Sequence, residues 1–318
     1  MKDLAAKTPA NVGKFQDPAI TAKGETRATV ELSHPETLWF NTGTLCNIEC
    51  VNCYIESSPT NDALVYITAD EVQSYLDQLV TREWGVREIA FTGGEPFMNP
   101  QMIDILRVSL AAGYEVLILT NAMLPMMRKR VLEGLSALEG EYPGKMTFRV
   151  SLDHHSAQEH DQMRGTGAFD KTLVGMDWLR DAGMRMAVAG RTIWGETDAE
   201  ARAGFAALFE ARGYAIDASN PGMTVLFPEM DESVEVPEIT TACWDILGKS
   251  PDAVMCSSSR MVVKRRGAPS PTVLACTLLP YDDQFDMGAT LEEAERPVAL
   301  NHPHCAKFCV LGGASCSA

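Results

Sequence analysis

The chain has 318 residues, 46% of them hydrophobic and 22% charged, a globular composition that excludes disorder and collagen-like structure. Its 27 Lys and Arg against 43 Asp and Glu leave a net charge of −16, which repels phosphate backbones and argues against a nucleic-acid partner. No apolar run approaches the ~20 residues needed to cross a bilayer, and the first residues lack the apolar stretch of a secretory signal, so neither a membrane nor export is expected.

In chain order, residues 1–36 are polar and aperiodic and read as an N-terminal arm. From Thr37 short apolar or β-branched runs alternate with helical stretches. The candidate strands are 37–42, 88–92, 115–120, 146–152, 185–192 and 223–227. Thr68 with Glu71 and Thr197 with Glu200 form capping boxes that open two of the helices. A helix over 100–112 stops at Gly113, Pro125 suits the first turn of the next, and 169–182 stops at Gly183. Six strand–helix alternations predict an α/β fold with a parallel sheet, as an open doubly wound sheet or a partial barrel. After about residue 230 the pattern changes. A short helix near 240–247 precedes two runs, 260–265 and 272–276, that flank the turn signal Gly267-Ala-Pro-Ser-Pro271 and predict a hairpin. The expected organisation is an arm over 1–36, a core over 37–230 and a smaller unit over 231–318.

The nine cysteines are unevenly placed. Cys46, Cys50 and Cys53 follow the first strand, at the carboxyl edge where α/β folds hold their chemistry. The other six lie in the last quarter: Cys243, Cys256, Cys276, Cys305, Cys309 and Cys316. Without an export signal, such clusters read as metal ligands before disulfides. A structural zinc needs four ligands, and the first group offers three with no local histidine. A [4Fe–4S] cluster held by three thiolates leaves one iron open.

Cys46-x3-Cys50-x2-Cys53, with Tyr54 directly after it, resembles the signature of the radical S-adenosylmethionine superfamily. Gly93-Gly94-Glu95-Pro96 after the second strand is similar to that family's turn for the ammonium of the bound methionine moiety. The resemblance implies a partial (β/α)6 TIM-like barrel. It implies a [4Fe–4S] cluster on Cys46, Cys50 and Cys53 whose open iron binds S-adenosylmethionine. One electron then cleaves the sulfonium bond, giving methionine and a 5′-deoxyadenosyl radical that abstracts a substrate hydrogen atom. By position in the family pattern, Tyr54, Gly93, Gly94, Glu95, Pro96, Thr120, Asn121, Ser151, Asp153 and Arg164 are expected around the cofactor, and Arg191 in the substrate cavity. Trp194 reads as packing, and His154 and His155 as solvated or capping histidines.

The second cysteine region resembles the SPASM/twitch extension that follows the core in one radical S-adenosylmethionine group. The spacing agrees less closely there than the order of elements. Six cysteines are too few for two fully cysteine-ligated clusters, so one auxiliary [4Fe–4S] cluster is expected on Cys256, Cys276, Cys305 and Cys309, with Cys316 competing for the last place. A structural zinc on these residues is the alternative, and Cys243 reads as buried packing. Lys264-Arg265-Arg266 reads as a solvated tip, or as a dock for an acidic electron carrier or anionic substrate. The expected activity is oxidation or bond formation on a small molecule, in the cytoplasm, with electrons from a flavodoxin or ferredoxin. The stretch before Thr37 is too short for the winged-helix precursor-binding domain of many peptide maturases. Modification of a peptide or protein side chain is the alternative substrate class. A non-catalytic metal-binding protein is the alternative of another kind, and no mark of methyl or methylthio transfer is present.

Overall fold

The computed structural model describes residues 13–228 and 235–312. The expected boundary near residue 231 and Cys316 lie outside the described residues.

In chain order the elements are β1 (Thr29–Val30), β2 (Thr37–Asn41), α1 (Ala69–Arg82), β3 (Glu88–Thr92), α2 (Met102–Ala111), β4 (Glu115–Thr120), α3 (Lys129–Glu141) and β5 (Met146–Ser151). There follow α4 (Ala157–Arg164), α5 (Ala168–Asp181), β6 (Arg185–Arg191), α6 (Asp198–Arg212), β7 (Thr224–Phe227), α7 (Cys243–Leu247), β8 (Ser259–Val263), β9 (Thr272–Leu274), β10 (Asp286–Gly288) and β11 (Val298–Ala299). A π-helix over Cys305–Leu311 ends the described chain.

The strands β2 to β7 lie side by side in sequence order and are all parallel. A doubly wound sheet reverses its strand order part-way, whereas an order that never reverses curls one way, as in part of a barrel. The sequence leaves both open, and the strand order selects the second. Among the described residues the sheet is open, running from β10 at one edge to β7 at the other. The central strands are largely apolar because both their faces are covered; β2 is buried at all five positions. Both predicted capping boxes are formed, Thr68 with Glu71 on α1 and Thr197 with Glu200 on α6.

Four features differ from the local sequence pattern. Pro125 does not open α3. Met126 and Met127 donate back to the Met123 carbonyl in a turn, and the helix starts at Lys129 with Arg128 as its N-cap. Helix α4 has a polar sequence with almost no apolar periodicity; His160 and Met163, its buried side chains, hold it down. The arm is packed rather than free from residue 13 on. β1 pairs with β11, and the Arg27 guanidinium, 2% exposed, reaches the Leu300 carbonyl 273 positions away. The predicted hairpin forms between β8 and β9, and β8 also pairs in parallel with β2, with Leu38 opposite Arg260. The C-terminal residues thereby continue the core sheet.

Candidate cofactor cleft

The loop after β2 and the turn after β3 interlock backbone to backbone. Gly94 N donates to the Gly43 carbonyl at 2.8 Å, and Glu95 N to the Leu45 carbonyl at 3.1 Å. A Cβ on Gly94 would lie 2.2 Å from the Leu45 oxygen, and one on Gly93, at φ +143°, 2.6 Å from the Gly43 oxygen. Only glycine admits the strand that leads into Cys46 so closely. The two glycines expected to make room for a ligand therefore make room first for the cysteine loop.

Cys46, Cys50 and Cys53 open onto one cleft at the carboxyl ends of the strands, together with Tyr54, Gly93 and Gly94. Burial pushes the Cys46 thiol up to about 12, and repulsion from Glu95, Cys50 and Cys53 adds to the rise. Burial also raises Cys50, against the lowering effect of the nearby Arg164 cation. Among the described residues three thiols and no histidine line the cleft, a donor set one short of the four that a structural zinc takes and suited to an iron–sulfur centre with one open iron.

Glu95 does not line the cleft. Its buried carboxylate accepts from Thr120 Oγ1 at 2.9 Å, Asn121 N at 2.9 Å and Phe97 N at 3.2 Å, tying the end of β4 to the turn that carries Pro96. Burial raises it to about 7 in spite of these bonds. Thr120 and Asn121 do face the cleft, and Asn121 Nδ2 points at Cys46 Sγ at 3.9 Å.

Ser151, Asp153, Arg164 and Arg191 also line the cleft. Arg164 grips Asp153 through both ends of its fork, at 2.6 and 3.0 Å, and Arg191 Nε stands 3.5 Å from the same carboxylate. Burial alone would raise Asp153; the two arginines outweigh it and hold the carboxyl below its usual range. Asp153 and Arg164, expected as separate contacts to ribose and carboxylate, thus form one ion pair. His160 supports it from behind, its Nδ1 accepting from Asp153 N at 3.2 Å.

His154, His155 and Glu196 bring their ligand atoms within 4.8 Å of one another. His154 Nδ1 accepts from Ser156 N at 3.0 Å, so its Nε2 carries the proton shared with Glu196 at 2.9 Å. The His154–Glu196 contact is complete as a hydrogen bond. Trp194 stacks edge-on against His154, as packing.

The C-terminal segment supplies a wall that the sequence does not reveal. Leu278, Phe227 and Phe308 line the cleft, and the two rings stack at 5.5 Å. Close to Leu278 and Phe308 in the chain lie thiols of the second set. Cys256 precedes β8, Cys276 follows β9, and Cys305 and Cys309 lie on the π-helix. Burial pushes Cys256 up to about 11. It also raises Cys305 well above its ordinary value, with repulsion from Cys276 and Cys256 added. Leu278 N donates to Cys276 Sγ at 3.3 Å. Cys243 is instead bound locally, accepting from Thr240 N at 3.4 Å. The basic tip is neutralised: Lys264 meets Glu71 at 2.5 Å, Arg265 Asp286 at 2.6 Å and Arg266 Asp62 at 2.5 Å.

An in-order parallel sheet with a three-thiol loop and a polar wall at its carboxyl edge defines an α/β cofactor protein. The model of the radical SAM superfamily matches residues 40–203, half of the chain, and the chain belongs to that superfamily. Its members bind a [4Fe–4S] cluster and S-adenosylmethionine and are enzymes. The chain is 34% identical over 163 residues to the antilisterial bacteriocin subtilosin biosynthesis protein AlbA of Bacillus subtilis, covering 51% of this chain and 32% of AlbA. It is 33% identical over 138 residues to the AdoMet-dependent heme synthase of Methanosarcina barkeri, covering 43% of this chain and 37% of that enzyme. The fold matches Streptococcus suis SuiB bound to S-adenosylmethionine, with a TM-score of 0.58 at 13% identity over 81% of this chain and 64% of SuiB. It matches anSMEcpe with bound AdoMet at a TM-score of 0.56 and 15% identity, over 82% of this chain and 77% of that one. The matched regions span about a third of the length of these curated relatives. No helix among the described residues is long and apolar enough to cross a membrane.

Proposed function

We propose that this protein is a radical S-adenosylmethionine enzyme that abstracts a hydrogen atom from its substrate, leading to oxidation or bond formation. The observation that carries the reading is the interlock of the Cys46–Cys53 loop with the Gly93-Gly94 turn over one cleft. Cys46, Cys50 and Cys53 would hold a [4Fe–4S] cluster. When bound, the cluster and S-adenosylmethionine supply a one-electron cleavage that yields a 5′-deoxyadenosyl radical. The chain's own residues position and enclose. Glu95 anchors Thr120 and Asn121 at the rim. The Asp153–Arg164–Arg191 group presents a rigid face of hydrogen-bond donors to polar groups of the cofactor or substrate. Leu278, Phe227 and Phe308 keep water from the reacting centre.

Cys256, Cys276, Cys305 and Cys309 would hold one auxiliary [4Fe–4S] cluster in a C-terminal unit that begins near residue 231, with Cys316 as the rival for the last place. The substrate is a small molecule. A second reading, modification of a peptide side chain, is favoured by the similarity to AlbA, a bacteriocin biosynthesis protein. The enzyme takes its electrons from a flavodoxin or ferredoxin in the reducing cytoplasm, where such clusters persist. The test uses protein purified and reconstituted without oxygen, with iron and sulfide quantified before dithionite and S-adenosylmethionine are added. About eight irons per chain and 5′-deoxyadenosine formation are expected. About four irons with turnover would remove the auxiliary cluster. Bound zinc with no cleavage would overturn the whole reading.

A further inference from the structure

Arg260 at 1% exposure and Arg27 at 2% are the most buried arginines among the described residues. They solve the problem of a buried charge differently. Arg27 meets the Glu238 carboxylate at 2.5 Å, a complete ion pair. Arg260 has no carboxylate partner among the described residues, and its contacts are backbone carbonyls. Nε donates to Ala294 O at 2.9 Å, Nη1 to Cys256 O at 2.6 Å and Ser259 O at 2.9 Å, and Nη2 to Arg296 O at 3.4 Å. Carbonyls satisfy the N–H groups and leave the net charge unbalanced. The ionisable groups that act on this guanidinium are the Cys256 and Cys276 thiols.

The side chain cannot move out to water. β8 is an inner strand, paired with β2 on one side and β9 on the other, and the fork is pinned between the Cys256 backbone and the 294–296 turn. A fixed, dry, unpaired cation beside clustered thiols calls for an anion in that space. A polynuclear iron centre on four thiolates is such an anion, and it becomes more negative when reduced.

We propose that Arg260 is the built-in counter-charge of the auxiliary iron–sulfur centre, a positioning residue that raises that centre's reduction potential and strengthens its retention. The inference rests on the auxiliary cluster proposed above. Reduction adds one electron, supplied by the titrating reductant, and no bond is made or broken. The guanidinium favours the reduced form because it compensates the added negative charge.

The test uses the full chain, reconstituted without oxygen, and needs no substrate. Arg260→Met removes the charge, Arg260→Lys keeps it and loses the fork, and Arg260→Gln keeps donors for the carbonyls while losing the charge. Iron per chain and a dithionite titration of the auxiliary centre, followed by electron paramagnetic resonance, are the readouts. Arg260→Met and Arg260→Gln are expected to disfavour reduction about tenfold, ~59 mV lower for a one-electron couple. Arg260→Lys is expected to stay close to the parent potential. Should Arg260→Met fail to fold, the Gln and Lys pair gives the same comparison. A parent with two reducible centres and unchanged potentials in Met and Gln would overturn the counter-charge and leave the auxiliary cluster standing. Equal iron loss in all three variants with no change of potential would reduce Arg260 to a backbone staple. A parent with about four irons and one reducible centre would overturn the auxiliary cluster itself, and the proposal with it.

Discussion

The two thiol sets are each faced by guanidinium groups, and the difference lies in what else those groups hold. Beside Cys50 stand Arg164 and Arg191, both turned toward Asp153. Beside Cys256 and Cys276 stands Arg260, held by carbonyls alone. In the first region the two guanidinium groups share one carboxylate, on the wall of an open cleft. Such a wall can meet a polar ligand without a charge being stranded when the ligand leaves. In the second region the charge is buried and unbalanced, which suits an occupant that stays. We read the first as a site of exchange and the second as a site of residence.

The largest expected effect comes from breaking the two sets one at a time. Cys50→Ala is expected to lose about four irons and to reduce 5′-deoxyadenosine formation to background. Cys256→Ala is expected to lose a similar number while 5′-deoxyadenosine still forms. Iron analysis and chromatography of the nucleoside distinguish them, and loss of cleavage in both would merge the two sites.

The next effect tests the internal balance of the first region. Asp153→Ala strands Arg164, whose side chain is 12% exposed, and is expected to cost roughly 3–5 kcal/mol in denaturant unfolding. A cost below about 1 kcal/mol, typical of exposed pairs, would show that the pair is solvated.

Glu95 gives a smaller, pH-dependent effect. Its folded carboxyl is raised from 4.5 to about 7, so the fold holds a proton that the unfolded chain has released. The contribution to stability is fully present below pH 4.5 and is lost as pH rises through about 7. Relative to Glu95→Gln, the parent is expected to lose up to about 3 kcal/mol across that window. Unfolding curves with the same pH slope in both proteins would contradict it.

Gly94→Ala drives a Cβ against the Leu45 carbonyl, and about 1–3 kcal/mol of destabilisation is expected, with weaker retention of the core iron. Smallest is the tip. Replacing Lys264, Arg265 and Arg266 by serine removes one exposed pair with Asp62 and two half-buried ones with Glu71 and Asp286, at about 1 kcal/mol each in thermal unfolding. A change in reduction rate by a protein electron donor in that variant would restore the docking role.

What the sequence reveals here is what is local. The six core strands, the capping boxes and the Cys46–Cys53 loop each announce themselves within a few residues, through apolar runs, Thr-x-x-Glu spacing and thiol spacing. The features that stay hidden depend on distant partners. β1 is two residues long and has no period to detect, and its partner β11 lies at the other end of the chain. β8 reads as half of a hairpin, and nothing near it signals the parallel pairing with β2. The Asp153–Arg164 pair is invisible because α4, which carries Arg164, has no apolar stripe. Glu95 is legible as a motif residue, while its inward turn onto Thr120 and Asn121 is set by the register of β3 against β4. Phe308 reaches the cleft only because the π-helix folds back onto Phe227.

The most direct test of the central claim is electron paramagnetic resonance of the reduced, reconstituted protein before and after S-adenosylmethionine is added. Two spectrally distinct clusters are predicted, of which one, lost in Cys50→Ala, changes on addition while the other, lost in Cys256→Ala, does not. A single cluster signal, or two that both respond to S-adenosylmethionine, would contradict the division into a site of exchange and a site of residence.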